Sequence, residues 1–124
     1  MRETYKTLAF LLVTALLSTV AVPAWAQSTQ QYVVIYVEFQ PEEANHGKKL
    51  VDDLAIRSLM SPGVINFSAT REIARPNRFT LIERWSSPEV YQAYKASSTW
   101  TTFFANAGPL LAAPLDERDG FLLK

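Results

Sequence analysis

Residues 32–39, Tyr-Val-Val-Ile-Tyr-Val-Glu-Phe, are apolar at both parities of a two-residue repeat. In a strand, Val33, Ile35, Val37 and Phe39 share one face, and Tyr32, Val34, Tyr36 and Glu38 share the other. A strand of this kind needs cover on both sides, so it belongs inside a layered structure. The chain has only 124 residues, enough for one domain and not for two. One covering layer must come from the same short chain, and a second layer from another molecule.

Prolines at 41, 62, 76, 88, 109 and 114 fall where the hydrophobic period changes, and so mark element boundaries. Residues 42–61 read as a helix. Glu42 and Glu43 sit in its positive first turn, and Leu50, Val51, Leu54, Ala55 and Ser58 form one stripe. Gly47 is expected to delay its start, and Pro62-Gly63 to end it in a turn. Residues 64–71 and 78–86 read as two strands of a hairpin, joined by residues 72–77. In the second strand Phe79, Leu81, Glu83 and Trp85 alternate with Thr80, Ile82 and Arg84. Ser86-Ser87-Pro88-Glu89 supplies a Ser cap, a first-turn proline and a glutamate three residues after Ser86, predicting a helix to about Asn106. A final strand is expected over residues 116–123, ending in an apolar Phe-Leu-Leu that calls for a docking surface. The order βαββαβ predicts an α+β, ferredoxin-like sandwich with helices on one sheet face. Large side chains left on the other face predict a homodimer with sheet facing sheet.

Arg2 and Lys6 precede an uncharged, mostly apolar run over residues 8–22, followed by Pro23 and Ala24-Trp25-Ala26. This is the layout of a secretory signal peptide over residues 1–26, cut before Gln27. A run of about fifteen residues spans ~22 Å of helix against a hydrocarbon core of ~30 Å, which disfavours a retained anchor. The expectation is an exported protein, periplasmic or secreted, whose domain covers residues 27–124 and has no membrane span after cleavage. That domain keeps ten basic and eleven acidic residues, a balance that argues against nucleic acid as a partner. The absence of cysteine excludes a disulfide framework, a thiolate metal site and a thiol nucleophile. With His46 as the lone histidine, a multi-imidazole zinc site is excluded too, and no metal is expected.

Glu83 is the leading candidate for proton chemistry. Between Leu81 and Trp85, a buried carboxyl would have a raised pKa and be poised as an acid or base; the alternative is an ion pair with Arg71 or Arg84. Trp85 and Trp100 can wall a flat ligand or pack a core or dimer contact. Tyr36 and Tyr94 can hold a substrate oxygen or pack with a polar tip at the surface. Asn66, between Ile65 and Phe67, requires a polar partner, either in a pocket or on backbone. His46 is expected to be solvated. Asp52 and Asp53 point apart on a helix. Residues 116–119 read as a locally compensated, solvated segment ahead of the last strand.

Four stretches and their order resemble the antibiotic biosynthesis monooxygenase (ABM) family, of the dimeric α/β-barrel group. They are Tyr32-Val33-Val34-Ile35-Tyr36-Val37, Ser61-Pro62-Gly63-Val64-Ile65, Arg78-Phe79-Thr80-Leu81-Ile82-Glu83-Arg84-Trp85 and Val90-Tyr91-Gln92-Ala93-Tyr94-Lys95-Ala96-Ser97. The resemblance implies a sheet-packed dimer with a pocket between helices and sheet in each protomer. It also implies oxidation of a small aromatic or quinol substrate by molecular oxygen, with no cofactor. On that basis Glu83, Asn66 and Tyr94 are the expected catalytic residues, and Trp85, Trp100, Tyr36 and Phe67 the expected substrate contacts. Many family members carry a Ser-x-His in the second helix, where Ser98-Thr99-Trp100 places Trp100; tryptophan cannot take a proton. That departure favours, as an alternative, a dimer that binds a small hydrophobic molecule without catalysis; a third reading, a haem-degrading relative, ranks lowest because the expected histidine is missing.

Overall fold

A computed structural model describes residues 29–123. The expected signal peptide and its cleavage site lie outside the described residues. β1 (Gln31–Glu38) is followed by a short 3-10 turn (Pro41–Glu43) and α1 (Ala44–Ser58). The hairpin is β2 (Val64–Arg71) and β3 (Arg78–Trp85), and α2 (Pro88–Ala96), α3 (Ser98–Ala107) and β4 (Asp116–Gly120) complete the chain. The sheet is antiparallel throughout, in the order β2-β3-β1-β4. The helices pack on one of its faces, as a ferredoxin-like α+β sandwich requires. No described helix is long and apolar enough to cross a membrane.

The core follows from strand parity. Val33, Ile35, Val37 and Phe39 point to the helices beside Phe79, Leu81 and Trp85 of β3 and Phe67 of β2. Val51 and Leu54 of α1, Tyr91 and Tyr94 of α2, and Trp100 and Phe103 of α3 close over them. Gly47 does not delay α1; it lies within it, buried against the Phe39 ring. A Cβ there would fall within 2.6 Å of Phe39 Cε2 and Cγ, so the close approach of helix to strand needs glycine. The turn after α1 uses Gly63 at φ 75°, and its carbonyl accepts from Ser86 N at 2.9 Å.

Three boundaries differ from the sequence expectation. The second helix is two. Ser97 is extended (φ −73°, ψ 159°) and ends α2, and α3 starts at the next residue. Its hydroxyl turns back to the Tyr94 carbonyl at 2.6 Å. The cap of α2 is Ser87, which accepts from Val90 N at 3.2 Å, rather than Ser86. β4 stops at Gly120, leaving Phe121, Leu122 and Leu123 exposed; residues 116–119 are the strand itself. The backbone of β4 pairs with β1 although all five of its residues are exposed, so pairing rather than burial defines this element.

Candidate functional site

Glu83 sits in the middle of β3 on the helix-facing side, opposite Val33 of β1 and Phe67 of β2. It is 1% exposed. One carboxyl oxygen, Oε1, accepts from Trp85 Nε1 at 3.0 Å, a contact made possible because residues two apart on a strand share a face. Oε2 is buried with no hydrogen-bond partner. Burial pushes the carboxyl up to about 7, against the Trp85 hydrogen bond and the positive charge of Lys95, with Glu117 adding to the rise. The ion pair left open by the sequence is not formed. Arg84 lies on the other sheet face above Tyr32, and Arg71 bonds the Pro76 carbonyl and covers Phe79. Glu83 is therefore a desolvated acid held by an indole N–H.

Aromatic rings surround it. Trp85 lies against Tyr94 with ring centres 4.3 Å apart and against Tyr91 at 5.9 Å. Phe67 meets Tyr94 edge-on at 6.5 Å. The Tyr94 tip is buried rather than at the surface, and its hydroxyl shares a 2.7 Å hydrogen bond with Ser58 of α1. Burial holds its phenol well above the usual range. Trp100 packs with Phe103 at 5.5 Å and Tyr94 at 6.1 Å, and Lys95 Nζ lies 3.9 Å from its ring centre. A flat ligand would have to displace Lys95 to stack on that side of Trp100.

At the β4 edge, Lys95 Nζ also reaches Glu117 Oε2 at 2.6 Å, and the Tyr91 hydroxyl donates to Glu117 Oε1. Gln31, at the start of β1, donates from Nε2 to Asp119 Oδ2 at 2.8 Å. These side chains meet because β4 pairs with β1 in a register that sets Glu117 opposite Ile35 and Asp119 opposite Val33, on the helix-facing side.

The expected site residues thus divide between two faces. Glu83, Trp85, Tyr94, Trp100 and Phe67 share the helix-facing core. Asn66 and Tyr36 do not join them. Asn66 lies opposite Arg84, and Tyr36, 47% exposed, lies beneath Arg118 on the open face. The single pocket expected to hold both Asn66 and Glu83 is corrected on this ground: Asn66 and Phe67 are consecutive in a strand and must point opposite ways. His46 is exposed beside Glu43 at 3.3 Å. Ser58, Tyr91, Lys95, Gln31, Glu117 and Asp119 enter the cluster without having been singled out for it. Ser58 had a signal, since a hydroxyl inside an apolar helix stripe needs a buried partner.

A cleft of about 500 Å³ opens where the end of α1 faces α2 and α3. Met60, Pro62, Val90 and Ala93 give it apolar walls, Arg57 stands at its rim, and Tyr94 is the lining residue that also touches Trp85. A second cleft of similar size, about 490 Å³, lies beside Tyr36, Arg78 and Arg118 on the other side of the sheet.

The model of one family, antibiotic biosynthesis monooxygenase, matches residues 30–106. Among solved structures, a Nitrosomonas europaea protein bearing that family name has a TM-score of 0.73 at 18% identity, over 78% of this chain and 93% of its own. A crystal structure named antibiotic biosynthesis monooxygenase has a TM-score of 0.72 at 14% identity, over 76% and 99%. A conserved protein from Methanosarcina mazei has a TM-score of 0.69 at 20% identity, over 77% and 96%. At these identities the likeness is one of fold. No curated protein matches the chain.

Proposed function

Since this chain belongs to the antibiotic biosynthesis monooxygenase family, we propose that it is a monooxygenase that oxidises a small aromatic or quinol substrate with molecular oxygen, using neither metal nor flavin. The observation that carries the proposal is Glu83: a buried carboxyl with one oxygen unpartnered, raised to about 7, next to closely packed aromatic rings. A group that titrates near neutrality can both take and return a proton.

For an anthrone-type substrate the steps balance without a reductant. Glu83 takes a proton from the ring carbon, and the carbanion's electron pair forms a carbon–oxygen bond to O2. Glu83 returns the proton to the terminal oxygen of the resulting peroxide. The O–O bond then breaks, and one oxygen stays as a carbonyl while the other leaves as water with the second ring hydrogen. The substrate is oxidised by O2, which supplies both oxygen atoms. Trp85 stacks on the ring system, Tyr94 donates to a substrate oxygen, and the closed aromatic shell keeps water from the anion. The substrate enters by the apolar cleft beside Tyr94 and displaces the Tyr94 ring from Trp85 to reach Glu83, neither of which lines the cleft.

Proteins of this family are generally dimeric. We place a second copy of this chain on the open sheet face, where Tyr36 and Ile82 are exposed, and assign Asn66 and Tyr36 to that surface rather than to the pocket. Export through the N-terminal segment is part of the same proposal.

Oxygen uptake with a panel of quinols and anthrones tests the activity. Glu83→Gln is expected to lower turnover by roughly 10²–10⁴-fold. No uptake with any member of the panel overturns the assignment. Trp100, which cannot serve as a base, favours a second reading, binding without turnover; its mark is saturable quenching of tryptophan fluorescence with no oxygen consumed. A Soret band on adding haemin would instead indicate a haem-degrading relative.

A further inference from the structure

Four buried side-chain atoms lack a hydrogen-bond partner among the described residues: Gln31 Oε1, Arg78 Nε, Glu83 Oε2 and Arg84 Nε. The two arginines occupy β3 positions of the open-face parity. The two oxygens belong to the helix-facing side. Gln31 pairs with Trp85 across β1 and β3, and Glu83 pairs with Val33, so Gln31 and Glu83 are diagonal neighbours on one face. Long side chains at such positions are within reach of each other.

The orientation of the Gln31 amide is fixed from outside. Asp119 is a carboxylate and accepts only, so the amide must present its NH2 to Oδ2, at 2.8 Å. Its carbonyl is thereby turned into the core, where Gln31 is 5% exposed. A buried carbonyl without a donor is costly, as is a buried carboxylate oxygen without one. One proton satisfies both. We propose that Gln31 is a positioning residue for Glu83, whose neutral carboxyl donates from Oε2 to the Gln31 carbonyl while Asp119 holds the amide from the surface side. The chain Asp119–Gln31–Glu83–Trp85 then orders both oxygens of the acid, with Trp85 donating to Oε1 and Gln31 accepting at Oε2.

Other groups act on Glu83 and must be separated from this effect. Lys95, Tyr91 and Tyr94 face it from α2, and Glu117 and Asp119 from β4; β2 and α3 present Phe67 and Trp100, which do not titrate. Removing the Gln31 carbonyl leaves all of these in place, so its effect has a distinct sign. A lost acceptor for the neutral form makes Glu83 a stronger acid.

The inference extends the proposed function by naming what holds its proton-transfer group, but its test needs no turnover. In the wild-type full chain, carbon-13 NMR of the glutamate and glutamine side-chain carbonyls should show Gln31 Cδ titrating with the same midpoint as Glu83 Cδ. Glu83→Gln should abolish the Gln31 titration. Gln31→Leu should lower the Glu83 midpoint, weakening its proton affinity about fivefold, the equivalent of one hydrogen bond of roughly 1 kcal/mol. A Gln31 resonance that ignores the Glu83 titration overturns the inference even if the variant fails to fold, and so does a midpoint that is unchanged or raised in Gln31→Leu. Linked titration in a protein that consumes no oxygen would sustain the inference and remove the monooxygenase assignment. Oxygen uptake without linkage would do the reverse.

Discussion

The two faces of β3 carry similar kinds of residue and treat them in opposite ways. On the open side, Arg78 and Arg84 flank Thr80 and Ile82. The aromatic side chains beside them on β1 lie under cations: Tyr32 beneath Arg84, and Tyr36 beneath Arg118 of β4. On the helix-facing side, Phe79, Leu81 and Trp85 flank a glutamate whose hydrogen-bond partner is an indole N–H. Charges near water are paired loosely and cost little. A carboxyl removed from water with no cation in contact shifts its pKa instead of forming an ion pair. The proposed function uses that difference, with its chemistry on one side of the strand and its assembly surface on the other.

The contrast can be broken most severely at Trp85. Trp85→Ala removes a fully buried ring and the donor to Glu83, and should cost about 3–5 kcal/mol in urea unfolding. A loss below about 1 kcal/mol would mean that the helix-facing side is not the cohesive one.

Glu83→Gln sharpens the contrast through pH. The native carboxyl is raised from 4.5 to about 7, so between those values the folded chain keeps a proton that the unfolded chain has released. The stability that Glu83 contributes should be fully present below the unfolded value and be lost as pH rises through about 7. The loss amounts to about 3 kcal/mol. Glu83→Gln should show no such slope, and a wild type as flat as the variant between pH 4.5 and 8 would contradict the raised carboxyl.

On the open face, Ile82→Glu should cost a protomer less than about 1 kcal/mol, because the side chain is already exposed. Sedimentation equilibrium should nonetheless show a dimeric wild type and a monomeric variant. A monomeric wild type would remove the dimer from the proposal. The smallest effect is expected at Arg118→Ala, whose thermal unfolding should overlay that of the wild type, since its partner Asp116 is also exposed.

The fold was legible because its punctuation is local. Pro41, Pro62-Gly63 and Pro88 stand at element starts and turns, and β1 and β3 announce their faces by parity. The break at Ser97 was not legible, because a serine inside an apolar helical repeat reads as helix until its extended backbone is seen. β4 starts at the expected residue but stops three residues short of the expected end, for a different reason. Asp-Glu-Arg-Asp-Gly has no apolar face, so no pattern of residues marks it as a strand, and pairing with β1 alone makes it one. Glu83, Trp85 and Tyr94 could be proposed from alternation and aromatic content. The contributions of Gln31, Glu117 and Asp119 could not, because they depend on which strand neighbours β1 and in what register.

The outermost strands also differ in how they meet other chains. β4 is five residues long with four charges, and a second β4 laid against it would bring carboxylates into crowded company. β2 offers Ser68, Ala69 and Thr70 along an edge eight residues long. Growth of the sheet into larger aggregates, in concentrated or partly denatured solution, is therefore barred on one flank and must begin at the other.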